Sequence, residues 1–388
     1  MHDAFLAAIA DRPDDDLPRL VYADWLDENG DPVRAEFIRV QIELAKVSAF
    51  DPRHKALNAR HLALLHAHRD PWTLPHLYGV SQQFSRGFVE RVNASAEWLV
   101  EHPGSLAKAP GPLRSLRVFA ASAFLARLSE VPDLARFEEL DLTGTTFAGA
   151  DDVRRFFTTA RLDKLRSLIL RNSNLWEGEE LAAIADTPVA PRLRSLDVSG
   201  NRVGDTGVRV LASRPEFAGL TSLTYRGDEI DYQMLVHANG AGALADSATL
   251  TRLTALDLGD QYIGEGGLRR LVNSPNAAGL ERLAVEYNDL GDISDGWMAD
   301  VVGSPHLGAL RELVLCGNRL GRLGAEELAA WPHLERMWFV DLRECRAPLG
   351  TSPLPVERRR TVGDGSAPLS DAVRAILMRS PWADKFVL

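Results

Sequence analysis

The sequence predicts an α/β solenoid, in which short parallel strands alternate with helices, preceded by a small all-α module. Three observations predict it. An apolar pattern of the form L-x-x-L-x-L-x-x-N-x-L recurs nine times between residues 113 and 345. Most copies are followed by apolar residues at helical spacing and then a proline. The first 48 residues carry helical spacing without the strand pattern.

The pattern is complete at Leu193, Leu196, Val198, Asn201 and Val203, at Leu280, Leu283, Val285, Asn288 and Leu290, and at Leu310, Leu313, Leu315, Asn318 and Leu320. Weaker copies begin at Leu113, Phe137, Leu165, Leu220 and Leu253, and a degraded one at Leu334, with spacings of 24 to 33 residues. The L-x-L step alternates inward and outward, as a short strand must. The ninth residue satisfies backbone groups where the chain leaves the strand. Asn201, Asn288 and Asn318 suit this role, Asp228, Ser173, Thr145 and Gln261 are partial substitutes, and Ala121 cannot fill it. A helix follows Val203 up to Arg214-Pro215, another follows Ile263 up to Ser274-Pro275, and another follows Leu320 up to Trp331-Pro332.

On these residues the array resembles the ribonuclease-inhibitor-like subclass of leucine-rich repeat proteins. The resemblance implies a leucine-rich repeat solenoid with a concave parallel sheet and convex helices. Nine strands ~4.8 Å apart span an inner arc of about 40 Å, enough for a standard interface of ~800 Å² per partner.

The N-terminal module reads as four helices. The first carries Phe5, Leu6 and Ile9, with Asp3 placed to cap it, and ends before Pro13; the second follows Asp14-Asp15-Asp16; Asn29-Gly30-Asp31-Pro32 separates it from the third; the fourth spans 53–69. The run Arg19-Leu20-Val21-Tyr22-Ala23-Asp24-Trp25-Leu26-Asp27-Glu28, with Gly30-Asp31 and Ala35-Glu36-Phe37-Ile38-Arg39-Val40-Gln41, resembles a bacterial repeat-companion domain. That resemblance implies a module placed ahead of repeat arrays and brings no activity with it. Arg19, Asp24, Glu36 and Arg39 read as one charged cluster across adjacent helices, either intramodule ion pairs or a recognition surface. Residues 84–92 read as a strand sealing the first repeat. The expected plan is a helical domain at 1–75, a linker and cap at 76–112, repeats at 113–347, a loop at 348–369 and a C-terminal cap at 370–388.

Composition narrows the function. The 388 residues carry a net charge of -10, which disfavours a general nucleic-acid binder. The basic run Arg358-Arg359-Arg360 reads as a solvated loop, with a docking patch as the alternative. Two cysteines fit free thiols in a reducing compartment. Neither a signal peptide nor a run of ~20 apolar residues is found, so the expected location is cytoplasmic, without membrane contact.

No catalytic or metal motif survives inspection. His54, His61 and His68 recur every seven residues, ~10.5 Å along a helix and too far apart for one ion. Asp27-Glu28-Asn29-Gly30-Asp31 lacks the alternating spacing of a calcium loop. Cys316 has no histidine at neighbouring outward positions to activate it. No cofactor is expected.

The outward strand positions therefore carry the functional expectation, which is a non-catalytic, monomeric scaffold binding an unidentified protein on its concave face. The candidate contacts are Asp141, Arg171, Asp197, Arg226 and Asp257 in a mixed-charge middle, then Glu286, Tyr287, Val314 and Trp338 towards an apolar C-terminal end that includes Cys316. Trp338 reads either as an exposed anchor or as packed beneath the tail. One alternative is a regulator of an enzyme such as a GTPase. Another is an enzyme sited in the helical module, which requires a deep pocket holding at least two titratable groups between residues 1 and 80 and would be ended by a shallow, fully solvated surface there.

Overall fold

The computed structural model describes residues 1–47, 51–227, 234–291, 296–345 and 369–388. Asp228, the run Arg358-Arg359-Arg360 and the expected 348–369 loop up to residue 368 lie outside these. The chain divides into two compact units, Met1–Thr143 with Thr159–Leu165, and Gly144–Thr158 with Arg166–Leu388.

The first unit opens with the four expected helices, α1 (His2–Asp11), α2 (Leu17–Glu28), α3 (Pro32–Lys46) and α4 (Pro52–Trp72). Prolines stand in the first turns of α2, α3 and α4, where a missing N–H costs nothing. Asp31 and Asp51 cap α3 and α4 by accepting from the N–H groups of Arg34 (3.1 Å) and Arg53 (2.8 Å). Asp3 lies inside the first turn of α1, and Met1 holds the capping position. Ile9, Tyr22, Ala23, Leu26, Ala35, Ile38, Ile42 and Phe88 form one buried cluster.

Where a single strand was expected at 84–92, the chain makes a hairpin of β1 (Ser81–Ser85) and antiparallel β2 (Phe88–Ser95). Arg86 and Gly87 take left-handed φ values of 45° and 91° at its turn. Only glycine suits position 87, because a Cβ there would lie 2.5 Å from Ile38 Cγ1 and 2.9 Å from Ile38 Cα. The Gly87 N–H donates to Gln41 Oε1 at 2.6 Å, docking the turn on α3. Parallel strands β3 (Ser115–Phe119) and β4 (Glu139–Asp141) then follow β2 in order.

The expected charged cluster of Arg19, Asp24, Glu36 and Arg39 does not form as one group. Arg19 shares the buried face of α2 with Tyr22, Ala23 and Leu26, so it points away from Asp24. Fully buried, it pairs with Glu90 at 2.7 Å and donates to the Pro13 and Arg86 carbonyls. Arg114 and Arg86 approach the same carboxylate at 3.2 and 3.7 Å. Arg39 instead bridges Asp24 and Asp27, and Glu36 pairs with Arg60 of α4.

In the second unit eight short strands pair in chain order, all parallel. They are β5 (Ser167–Ile169), β6 (Ser195–Asp197), β7 (Ser222–Thr224), β8 (Ala255–Asp257), β9 (Arg282–Ala284), β10 (Glu312–Val314), β11 (Phe339–Asp341) and β12 (Phe386–Val387). Helices such as Gly204–Ser213, Gly264–Val272 and Arg322–Ala329 occupy the second half of the repeats. Pro215, Pro275 and Pro332 end them as expected, and each also opens a short 3-10 turn. Leu168, Leu196, Leu223, Leu256, Leu283 and Leu313 occupy equivalent strand positions and are all buried.

Asparagine at the ninth position stitches one repeat to its predecessor. Asn201 Oδ1 accepts from the N–H groups of Ser173 (2.8 Å) and Leu175 (3.1 Å), while Nδ2 donates to the carbonyls of Leu170 (2.7 Å) and Val198 (2.9 Å). Asn318 repeats the arrangement with Asn288, Leu290, Val285 and Leu315. Gln261 bridges its repeats in the same sense, accepting from Val236 N–H and donating to the Tyr225 carbonyl. Immediately ahead of the ninth residue most copies place one with positive φ, as at Gly200 (67°), Asp260 (56°), Tyr287 (52°), Gly317 (69°) and Glu344 (58°), with Gly227 the exception.

This marker corrects the last repeat. Leu313 pairs with Val340, which makes Met337, and not Leu334, the counterpart of Leu310. Leu334 is apolar because it is buried in the 3-10 turn Pro332–Arg336. Val340 consequently faces the core, Cys345 takes the ninth position with Sγ 3.2 Å from the Leu315 carbonyl, and Trp338 stands one residue ahead of β11 instead of at its middle.

Two stability measurements follow. Asn201→Ala strands buried donors and acceptors from two repeats and should cost about 3 kcal/mol in urea unfolding, where a loss below about 1 kcal/mol would deny the asparagine its role. Glu90→Gln leaves Arg19 buried without a counter-charge and should cost about 3–5 kcal/mol; a variant as stable as the parent would show that the carbonyl bonds alone hold Arg19.

Candidate functional site

The candidate site is the sheet face of β5–β11 opposite the buried leucines. Because side chains alternate, it is built from the strand residues flanking each leucine and from the residue two places further on.

Two charged groups dominate its middle. Arg171 places Nε and Nη2 on Asp197 Oδ2 at 2.6 and 2.5 Å, and the other oxygen of Asp197 accepts from the Ser199 N–H and hydroxyl. Arg226 lies among three carboxylates, at 2.8 Å from Asp260, 3.6 Å from Asp257, and bonded to Glu286. Burial works against the Arg226 charge, but Glu286, Asp257 and Asp260 together hold its pKa above the ordinary value. Burial, then repulsion from Asp257, pushes the Glu286 carboxyl up despite the pull of Arg226. Arg282 continues the pattern, 2.8 Å from Glu312 and 3.8 Å from Asp257.

The C-terminal end is more closed than its sequence implied. Ala284, Val314 and Phe339 pack into one cluster with Cys316 and Val387, leaving Val314 only 7% exposed. The Tyr287 hydroxyl donates to Glu344, and burial followed by that bond raises its pKa. The corrected register puts Asp341 and Arg343 on this face, 2.7 Å apart. Trp338 does not pack beneath the tail and is 63% exposed. Asp141 belongs to the first unit, where it is buried, accepts from Thr143 and lies 3.8 Å from Arg117.

Sequence reasoning found Arg171, Asp197, Arg226, Asp257, Glu286, Tyr287 and Val314 on or beside this face. It missed Asp260, Arg282, Glu312, Phe339, Asp341, Arg343 and Glu344. Applying the alternation to both sides of each leucine would have found Arg282 and Glu312, and a correct start at Met337 the others on β11.

Neither thiol is set up as a nucleophile. Burial, then a hydrogen bond to Asp341, raises the Cys316 pKa, and burial pushes Cys345 up to about 12. Among the described residues no cluster of three or more His, Cys, Asp or Glu could hold a metal ion. No described helix is long and apolar enough to cross a membrane. The arrangement supplies paired, fixed charges and a small apolar cluster.

The raised Glu286 carboxyl makes a pH prediction. The folded chain keeps this proton at pH values where the unfolded chain has released it. The group therefore favours folding below the ordinary carboxylate pKa, and that contribution is lost as pH rises through the elevated value. Asp257→Asn removes one raising charge, so the carboxyl ¹³C titration midpoint of Glu286 should move down; an unmoved midpoint would exclude Asp257 as a cause.

The Leucine Rich repeat family matches residues 191–212. No curated protein matches the chain. Among solved structures, the yeast Rad7 and Elc1 complex is similar at 15% identity, covering 84% of this chain and 79% of that one, with a TM-score of 0.46. Internalin C2 of Listeria monocytogenes is similar at 17% identity over 58% of this chain and 79% of that one, with a TM-score of 0.35. Human 5T4 is similar at 19% identity over 65% and 76% respectively, with a TM-score of 0.36. With its parallel strands, asparagine positions and alternating helices, the chain has an α/β solenoid fold of the leucine-rich repeat type, preceded by a helical N-terminal region, and its residues 191–212 match the Leucine Rich repeat family.

Proposed function

We propose that the chain is a non-catalytic scaffold recognising a protein partner across the open sheet face of β5–β11. The observation that carries this reading is that the charged groups there are already held in place. Arg171 is fixed on Asp197, and Arg226 among Asp257, Asp260 and Glu286. A surface ordered before binding loses little entropy when a partner arrives. Among the described residues Asp197, Asp257, Asp260, Glu286, Glu312 and Asp341 pair with Arg171, Arg226, Arg282 and Arg343, and the arginine side chains, 35–54% exposed against 4–27% for the acids, are the charges a partner would meet first. Part-buried Tyr287 and the exposed Trp338, one residue ahead of β11, are the apolar contacts, Val314 being buried in its own cluster, and Asp141 with its Arg117 is the contact proposed for the first unit.

Further parts of the reading rest on the sequence. The array is of the ribonuclease-inhibitor-like kind, a view favoured by helices in the second half of its 24- to 33-residue repeats. Residues 1–48 are a repeat-companion domain, within a plan of 1–75, 76–112, 113–347, 348–369 and 370–388. The protein is bacterial, cytoplasmic and monomeric.

Crosslinking capture from native lysate tests the proposal. Asp197→Ala, Arg226→Ala and Trp338→Ala should each lose a protein that the parent chain captures, and raising ionic strength should weaken its capture. Equal capture by all three variants would remove binding from this face.

A further inference from the structure

We propose that a cavity in the first unit binds a small monocarboxylate with an apolar body. This site lies outside the sheet face and does not depend on the scaffold reading. The cavity, about 240 Å³, is lined by Leu6 of α1, Tyr22 of α2, Arg34 of α3, Trp72 of α4, and Phe88 and Val89 of β2. A dry cavity of about 150 Å³ already accommodates benzene, so this one holds an aromatic ring and a short acidic side chain.

Arg34 supplies the charge recognition. Its side chain is nine-tenths buried, with the guanidinium over the rings of Trp72 (4.8 Å), Phe37 (5.4 Å), Phe88 (5.5 Å) and Phe84 (5.8 Å). Nη2 donates to the Gly87 carbonyl at 2.5 Å, whereas Nη1 has no hydrogen-bond partner. No carboxylate forms an ion pair with this group among the described residues. Asp31, also at the wall, uses its carboxylate to accept from the Arg34 backbone N–H. Ring faces attract a cation but accept an N–H only weakly, so the unused Nη1 donor and much of a buried charge are compensated less well than by an oxygen acceptor. A carboxylate oxygen answers both. Burial also holds the Arg34 pKa down at about 10, consistent with a missing counter-ion.

The rest of the wall refines the ligand. The Tyr22 hydroxyl and His2 Nδ1 are 2.7 Å apart, a polar pair at the same cavity. Leu6, Leu74, Val89 and Pro112 offer only apolar surface. The negative charge of Asp31 disfavours a multiply charged phosphate. One negative charge on an apolar body is the chemistry these residues complement.

Calorimetric titration of the full chain with 3-phenylpropionate, its neutral amide and inorganic phosphate tests the site. The carboxylate should bind at least about ten-fold more tightly than the amide, a gap of about 1.4 kcal/mol, and more tightly than phosphate. Arg34→Met should abolish the preference for carboxylate over amide. Because that variant removes a packed side chain and could unfold the unit, Leu74→Trp supplies a second arm: it fills the cavity, leaves Arg34 in place and should abolish binding in a folded protein. No binding of phenylpropionate at millimolar concentration, equal binding of the amide, tighter binding of phosphate, or unaltered binding by Leu74→Trp would each overturn the proposal.

Discussion

A buried side chain at the ninth position of the repeat, at every such position among the described residues, is the constraint on which the second unit depends. A strand of three residues cannot set its own register; something must tie the end of one strand to the turn of the one before. Asn201 and Asn318 do this with one carboxamide, accepting two N–H groups and donating to two carbonyls. The left-handed residue just ahead turns the backbone so that the carboxamide points inward. Once this is fixed, period-two alternation sends every strand leucine to the core and its flanking residues to the open face. The charge pattern of the candidate site is therefore a by-product of a backbone requirement, because Arg226, Asp257 and Glu286 meet only when their strands stack in register.

The first unit obeys a different constraint, the placing of buried charge. Arg19 and Arg34 both run into apolar surroundings between the helices and the β1–β2 hairpin, and both donate to carbonyls of its turn, Arg86 and Gly87. Their remaining needs are met unequally. Each keeps one unpartnered donor, Arg19 Nε and Arg34 Nη1, but Arg19 reaches the Glu90 carboxylate while Arg34 has only four rings around it. Two arginines with the same structural task thus end in opposite electrostatic states. The uncompensated one lies at a cavity.

Most of the repeat architecture was legible because its signal is periodic and repeated, so a weak copy inherits its reading from strong ones. The exception shows how such a reading fails. At Leu334, Met337 and Phe339 the sequence imitates the repeat, but Leu334 serves the 3-10 turn and the true copy runs Met337, Val340, Leu342, Cys345. A cysteine in place of asparagine hid the ninth position. The outward positions were legible from alternation, yet their mutual neutralisation was not, since Arg226 and Glu286 are 60 residues apart. The Arg34 cage was beyond reach for the same reason: its rings come from α3, α4, β1 and β2, and no local pattern marks their convergence.

The side-chain amide protons of Asn201, Asn288 and Asn318 report on the central constraint most directly. Hydrogen–deuterium exchange at these groups, followed by NMR, should show protection on the scale of the strand amides, because each carboxamide is buried and donates to the backbone. Exchange at the rate of a solvent-exposed carboxamide would mean that these residues do not join the repeats, and the account of the sheet would fail with them.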